Sequence, residues 1–290
     1  MPSAPSSRCC ASCSADDVAQ VSDAEVESIV GAFWAPDIDA FRTLLDATAR
    51  VLGGDLAELG VLYGRSAVLI GSSLGRGETF TVVDLFDEGT DADTANAAEN
   101  ASSYAGLTRG AFEEGYRRVH GVLPVVVVGP SESIVDHVPA ASHRFVHIDA
   151  SHLHEHVVAD LAAARQILKP NGVVVLDDIR SEHTPGVAAA AWQAVLTDGL
   201  RPFGISTHKL YGTFGDPTPW REALLALAAT GRVDSEVQTV CGEHLVRFWR
   251  PRPVAVLPWR RYVPEAAWPL VSRVRQGLGR RAVASRRAAP

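Results

Sequence analysis

The chain has 290 residues, of which 47% are hydrophobic and 21% charged, enough to bury one large core. No apolar run is long enough to span a bilayer, and the opening MPSAPSSRCCASC has no hydrophobic signal core, so a cytoplasmic protein is the expectation. The net charge of −7 divides unevenly: nine arginines and one acid from Arg252 onward, against 18 basic and 33 acidic residues before it, an acidic body that argues against nucleic acid as a partner.

Taken in chain order, residues 1–22 are rich in Ser, Ala and Asp and are expected to form a disordered tail. Cys9, Cys10 and Cys13 fall there, with only Cys241 elsewhere, so no disulfide framework is expected. A CC-x-x-C cluster could hold metal, but no fourth ligand of matching spacing lies nearby. The stretches DAEVESIV and DIDAFRTLLDATARVL predict an N-terminal helical segment over 23–52, with acids at the helix starts. A domain over 53–250 follows. Its short β-branched runs, DLAELGV, TFTVVDLF, LPVVVVG, RFVHID and GVVVLDD, alternate with helical patterns near 65–75, 107–119, 131–138, 153–168 and 185–198. Near-continuous apolar strands between helices predict an α/β fold, a doubly wound and mostly parallel sheet covered on both faces. After Gly199, GISTHKLYGTF, EVQTVC and HLVRFWR read as further strands, some antiparallel, around a helix in PWREALLALAATG. Residues 251–290 form a basic tail. Its AAWPLVSRVRQGLGRR is mildly amphipathic, either a solvated segment or a contact for an anionic surface.

In such a sheet, ligands bind outside the carboxyl ends of the strands. The first strand ends in ELGVLYGRS, where Gly60 and Gly64 allow a tight turn and close approach of backbone N–H groups. The spacing is not that of the dinucleotide fingerprint G-x-G-x-x-G. Asp84, about twenty residues later, ends the second strand, where an acid can accept bonds from a ribose diol. Ser131, in GPSES, can face a base edge or cap the next helix. Asp149 ends the fourth strand, and Asp177 and Asp178 the fifth.

The order E-x-G-x-x-x-G-x-S, an acid after strand two, D-x-x-H after strand four, LKPNGVVVLDD at strand five, then PGV opening a helix resembles class I S-adenosylmethionine-dependent methyltransferases. Within them it is most similar to the macrocin-type O-methyltransferases, over about Asp55 to Tyr211. That resemblance implies a Rossmann-like, seven-stranded sheet and O-methylation of a small hydroxylated metabolite. It implies that Glu58, Gly60, Gly64 and Ser66 line the methionine end of the cofactor, that Asp84 holds the ribose and that Ser131 sits by the adenine. It also implies that Asp149, Asp177 and Asp178 bind Mg²⁺, with Asp149 lying against the cofactor and Asp149 and His152 serving catalysis. A hard cation held by carboxylates can lower the pKa of a hydroxyl and fix its angle. Without metal, Asp177 and Asp178 would cap the following segment and Asp149 would orient cofactor or substrate. Relatives carry DGDHSYE where this chain has DASHLHE, so Ala150, Ser151 and His154 depart from the pattern at the acceptor side.

His147 lies within the strand and is expected to be a satisfied, partly buried histidine. His152 and His156, four apart, could share a helix face as zinc ligands do, the basis of a rival metallohydrolase reading. A second rival is a cofactor-binding protein without turnover. The acceptor pocket is expected from the N-terminal helices and from DEGTDADTANAAENASSYAGLTRGAFEEGY. The apolar AFWAPDIDAF is a candidate surface for homo-oligomer pairing.

Overall fold

The computed structural model describes residues 21–87 and 106–251. The N-terminal cysteine cluster, most of the segment between strands two and three, and the basic tail from Arg252 lie outside the described residues.

Two helices come first, α1 (Asp23–Glu27) and α2 (Ala35–Val51). Ser22 opens α1 with a capping box: its hydroxyl accepts from Glu25 N–H while the Glu25 carboxylate accepts from Ser22 N–H. The alternating section then runs β1 (Asp55–Leu59), α3 (Arg65–Gly71), β2 (Phe80–Asp84), α4 (Arg109–His120) and β3 (Val125–Val128). A 3-10 helix (Ser131–Asp136), β4 (His143–Ile148), α5 (His154–Ile167), β5 (Leu168–Leu176) and α6 (Pro185–Thr197) follow. The chain continues through β6 (Arg201–Ile205), β7 (Leu210–Thr213), α7 (Thr218–Ala229), β8 (Asp234–Val240) and β9 (Glu243–Trp249).

The nine strands of the described residues join one sheet in the order β3-β2-β1-β4-β5-β7-β6-β9-β8. The five strands from β3 to β5 are mutually parallel, as their apolar sequences require. The α/β class expected from the sequence is what the chain adopts, with nine strands rather than seven among the described residues. GISTHKLYGTF folds as two antiparallel strands, because the polar Ser206–His208 corner reverses the chain; there Ser206 Oγ accepts from the N–H groups of His208 and Lys209. The β8–β9 hairpin then extends the sheet through a parallel pairing of β9 with β6. Its outer strand, β8, is largely exposed and carries Asp234 and Glu236, charges that discourage further strand pairing.

Successive strand residues alternate between two apolar cores, one on each face of the sheet. Leu56, Val82, Phe145, Val173 and Val175 pack with residues of α1, α2, α3, α4 and α7. Ala57, Val83, Val146, Val174 and Leu176 pack with the 3-10 helix, α5 and α6. This alternation puts Glu58 of β1 and His147 of β4, register partners across the ladder, on the α2 face. Two polar side chains are thereby committed to a largely apolar layer.

Candidate active site

Strand order reverses between β1 and β4, and there two backbones meet. Asp149 N–H donates to Leu59 C=O at 2.7 Å. Gly60 follows with φ +77°, and a Cβ on it would stand 2.1 Å from the carbonyl oxygen of Asp149. Only glycine fits, by conformation and by space. The turn continues to Gly64, also left-handed, which opens α3. Asp84 at the end of β2 ties this loop down: its carboxylate accepts from Val61 N–H and from Phe86 N–H, each at 2.8 Å. Burial raises the Asp84 pKa against those bonds.

Glu58 is fully buried and accepts on Oε1 from Ser66 Oγ (2.5 Å) and from the His147 ring (2.7 Å), while Oε2 has no partner. Burial pushes Glu58 well above the carboxylate range. The other ring nitrogen of His147 lies 3.1 Å from Lys209 Nζ. An ammonium can only donate, so His147 Nε2 accepts and its Nδ1–H points to Glu58. Burial and the neighbouring Lys209 charge hold His147 far below its ordinary pKa, consistent with that neutral tautomer. Lys209, just before β7, also pairs with Asp177 Oδ2, and its ammonium lies over the rings of Phe33 and Phe41. Burial alone would lower the Lys209 pKa, but Asp177, Asp149 and Asp37 outweigh it and hold the pKa above its ordinary value.

The carboxylates expected to bind metal thus differ in their surroundings. Asp177 is engaged on both oxygens: Oδ1 accepts the N–H of Asp178 at 2.8 Å and Oδ2 the Lys209 ammonium. Asp178, at φ +54°, turns the other way and meets His152 Nε2 at 3.1 Å on Oδ2, while Ser181 Oγ donates to Oδ1 at 2.5 Å. The His152 bond holds Asp178 down at about 2. Burial and the neighbouring Asp177 raise Asp149 to about 8. Among the described residues two groups bring ligand atoms within 4.8 Å of one another: Asp149, His152 and Asp178, and His147, Asp149 and Asp177.

Ser131 is the first residue of the 3-10 helix, after Pro130 at its cap position, and is not itself the cap. Asp160 of α5, wholly buried, lies against this corner with neither carboxylate oxygen hydrogen-bonded, although the Ser131 hydroxyl is close enough to favour its charge. His152 precedes α5, whose first residue is His154, so the helical spacing needed to pair it with His156 as zinc ligands does not exist. His154 instead contacts Gln193 Oε1 at 3.0 Å.

Residues 57–179 match the family model described as a methyltransferase domain. That segment of the chain is a methyltransferase domain. The O-methyltransferase NovP is a similar solved structure, with TM-score 0.51 and 18% identity over 62% of this chain and 80% of that one. CalS11, a TDP-rhamnose 3'-O-methyltransferase of calicheamicin biosynthesis, gives TM-score 0.43 and 18% identity over 62% and 79%. An O-methyltransferase from Bacillus cereus in complex with SAH gives TM-score 0.37 and 16% identity over 80% and 91%. No curated protein matches the sequence.

Sequence reasoning missed Lys209, Asp37 and Tyr211 in this methyltransferase. Asp37 is buried, accepts from Tyr211 Oη at 2.6 Å and joins α2 to β7 beneath the site. A signal was present for the lysine: of 27 basic side chains only Lys169 and Lys209 are lysines, and Lys209 interrupts an apolar strand pattern.

Proposed function

We propose that this methyltransferase transfers the methyl group of S-adenosylmethionine to a hydroxyl of a small metabolite, at the carboxyl ends of β1, β4 and β5. The observation that carries the reading is the convergence of Asp149, His152 and Asp178 beside the Gly60 turn. Bound S-adenosylmethionine supplies a sulfonium-activated methyl carbon, open to in-line displacement by oxygen. The Gly60–Gly64 turn, Ser66 and Glu58 line its methionine end, Asp84 its ribose, and Ser131 its adenine. The Asp84 carboxylate, which holds the backbone N–H groups of Val61 and Phe86, has acceptor capacity left for a diol.

His152 takes the acceptor's proton, and Asp178 holds the imidazole in orientation and stabilises its charge once protonated. The Asp149 carboxyl, at the backbone contact between β4 and β1, steers the acceptor oxygen. A divalent cation, Mg²⁺ in the simplest case, would be held by carboxylates of this cluster and would lower the acceptor's pKa. The oxygen-rich donor set suits such an ion, with Asp177 already paired with the Lys209 ammonium. The acceptor approaches along α2, where exposed Trp34 stacks on His208 at 4.9 Å and the His208 carbonyl accepts the N–H of Ile179, next to Asp178.

Calorimetric titration with S-adenosylhomocysteine tests the reading: one equivalent should bind, and absence of binding would overturn it. Labelled cofactor offered with a panel of hydroxylated acceptors then identifies the substrate class, and transfer to nitrogen alone would refute O-methylation.

A further inference from the structure

The segment before α2 and the corner before β7 meet through two successive residues of each. On the inside Phe33 faces Lys209, whose ammonium lies 5.3 Å from the ring centre and pairs with Asp177. On the outside Trp34 stacks on His208, with ring centres 4.9 Å apart and planes 11° from parallel. The segment is also tied to Arg65, the first residue of α3, whose guanidinium donates to Gly31 C=O. The corner is tied to Ile179, next to Asp178, whose N–H donates to His208 C=O at 2.9 Å. Trp34 therefore stands on a rim that runs from the Gly60–Gly64 turn to the acids after β5. Packing does not consume it: Phe33 is 6% exposed, whereas Trp34 is 53% exposed. Arg180 belongs to the same rim. It is exposed, two residues after Asp178, and its guanidinium reaches back to the corner through one long hydrogen bond, to Ser206 C=O at 3.5 Å. The two acids that precede it are matched within the fold, Asp177 by Lys209 and Asp178 by His152 and Ser181. Most of the five guanidinium N–H donors thus remain for a ligand.

We infer that the acceptor is a hydroxylated aromatic acid: its ring stacks on Trp34, its carboxylate pairs with Arg180, and its hydroxyl reaches the Asp149 and His152 end of the site. A flat, half-uncovered indole held in place by a second ring selects a planar partner, and a guanidinium fork matches a carboxylate in geometry and charge. A phenol also suits the chemistry, because it ionises near about 10, well below an alkyl hydroxyl, and asks less of a histidine base. In the transfer the phenol oxygen bonds to the methyl carbon, and the pair of the broken sulfur–carbon bond stays on sulfur as S-adenosylhomocysteine forms. The phenol proton passes to His152. This inference rests on the proposed function and narrows its acceptor from small hydroxylated metabolites to phenolic acids.

The test is calorimetric binding to full-length protein saturated with S-adenosylhomocysteine, using four probes that separate ring from charge: 4-hydroxycinnamate, its neutral amide, glucuronate and methyl glucoside. 4-Hydroxycinnamate should bind most tightly, by at least about tenfold over its amide and over glucuronate. With labelled S-adenosylmethionine, the methyl group should appear on its phenol oxygen. Trp34→Ala should weaken 4-hydroxycinnamate by about tenfold, and Trp34→Phe should recover most of the loss. Arg180→Gln should bring the acid down to the level of its amide, with amide binding held within about threefold. Both variants should bind S-adenosylhomocysteine as the wild type does, which separates a lost contact from a lost fold. If Trp34→Ala does not fold, Trp34→Gln carries the same expectation and the same refutation. Equal binding of acid and amide, tighter binding of either sugar, or no binding of any probe would overturn the inference and leave methyl transfer standing. Unchanged 4-hydroxycinnamate affinity in either variant would overturn it as well. If the wild type binds no S-adenosylhomocysteine, it is the proposed function that fails.

Discussion

At the scale of single residues, the site is shaped by what cannot be changed as much as by what reacts. Gly60 faces the Asp149 carbonyl with no room for a methyl group. Gly60→Ala should therefore push β4 from β1 at the strand crossover and abolish S-adenosylhomocysteine binding in a calorimeter. Asp160 is the opposite case, a buried carboxyl without hydrogen-bond partners, raised by burial from 3.8 to about 7. Between those values the folded state keeps a proton that the unfolded state has lost. Stability therefore falls as pH rises through that window, and the loss is complete above the folded value. At about 1.4 kcal/mol per pH unit the cost is on the order of 4 kcal/mol. Asp160→Asn should flatten this dependence, so that urea unfolding at pH 5 and at pH 8 gives more nearly equal free energies. An unchanged difference would show that Asp160 is not its source.

Among elements, α2 is bound to the sheet by polar contacts at both ends. Near its carboxyl end the buried Arg144 of β4 donates to Leu45 C=O (2.9 Å) and Thr48 Oγ1 (3.1 Å) of the helix. The same guanidinium donates to Gly54 C=O (3.0 Å), Ser73 C=O (2.7 Å) and Glu78 (2.9 Å). Replacing it strands several buried acceptors and one carboxylate. Arg144→Leu should destabilise the protein by about 3–5 kcal/mol in chemical denaturation. Arg42→Ala, which breaks an ion pair with the exposed Asp23, should cost no more than about 1 kcal/mol. Near its start α2 brings Asp37 to Tyr211 and Phe41 over Lys209. The helical periodicity of DIDAFRTLLDATARVL revealed the helix and its apolar stripe. It carried no sign that Asp37 faces inward, because a lone acid among apolar positions looks the same in sequence whether it caps a turn or meets a buried tyrosine.

Across the whole molecule, the cofactor contacts expected on β1, β2, β3 and β4 span the sheet on both sides of its crossover. Ligand binding should therefore stabilise the fold as a unit. At a hundred times its dissociation constant, S-adenosylhomocysteine should add about 2.7 kcal/mol, seen as one cooperative transition moved to higher temperature. A split transition would mean that the strands around the site unfold separately.

The sequence by itself determined the parallel core of that sheet and the strand ends that hold its acids, because apolar runs between amphipathic helices have few other ways to be buried. It also determined the resemblance that points to methyl transfer, since the order of glycines and acids is a property of the chain. Only the tertiary structure decided which acids act together. Asp177 and Asp178 are neighbours in sequence, yet one is neutralised by Lys209, 32 positions away, and the other faces His152. β5 ends at Leu176, the left-handed backbone of Asp178 turns its side chain away from that of Asp177, and the partner each meets comes from wherever the chain returns, so pairings between distant residues are settled by packing alone.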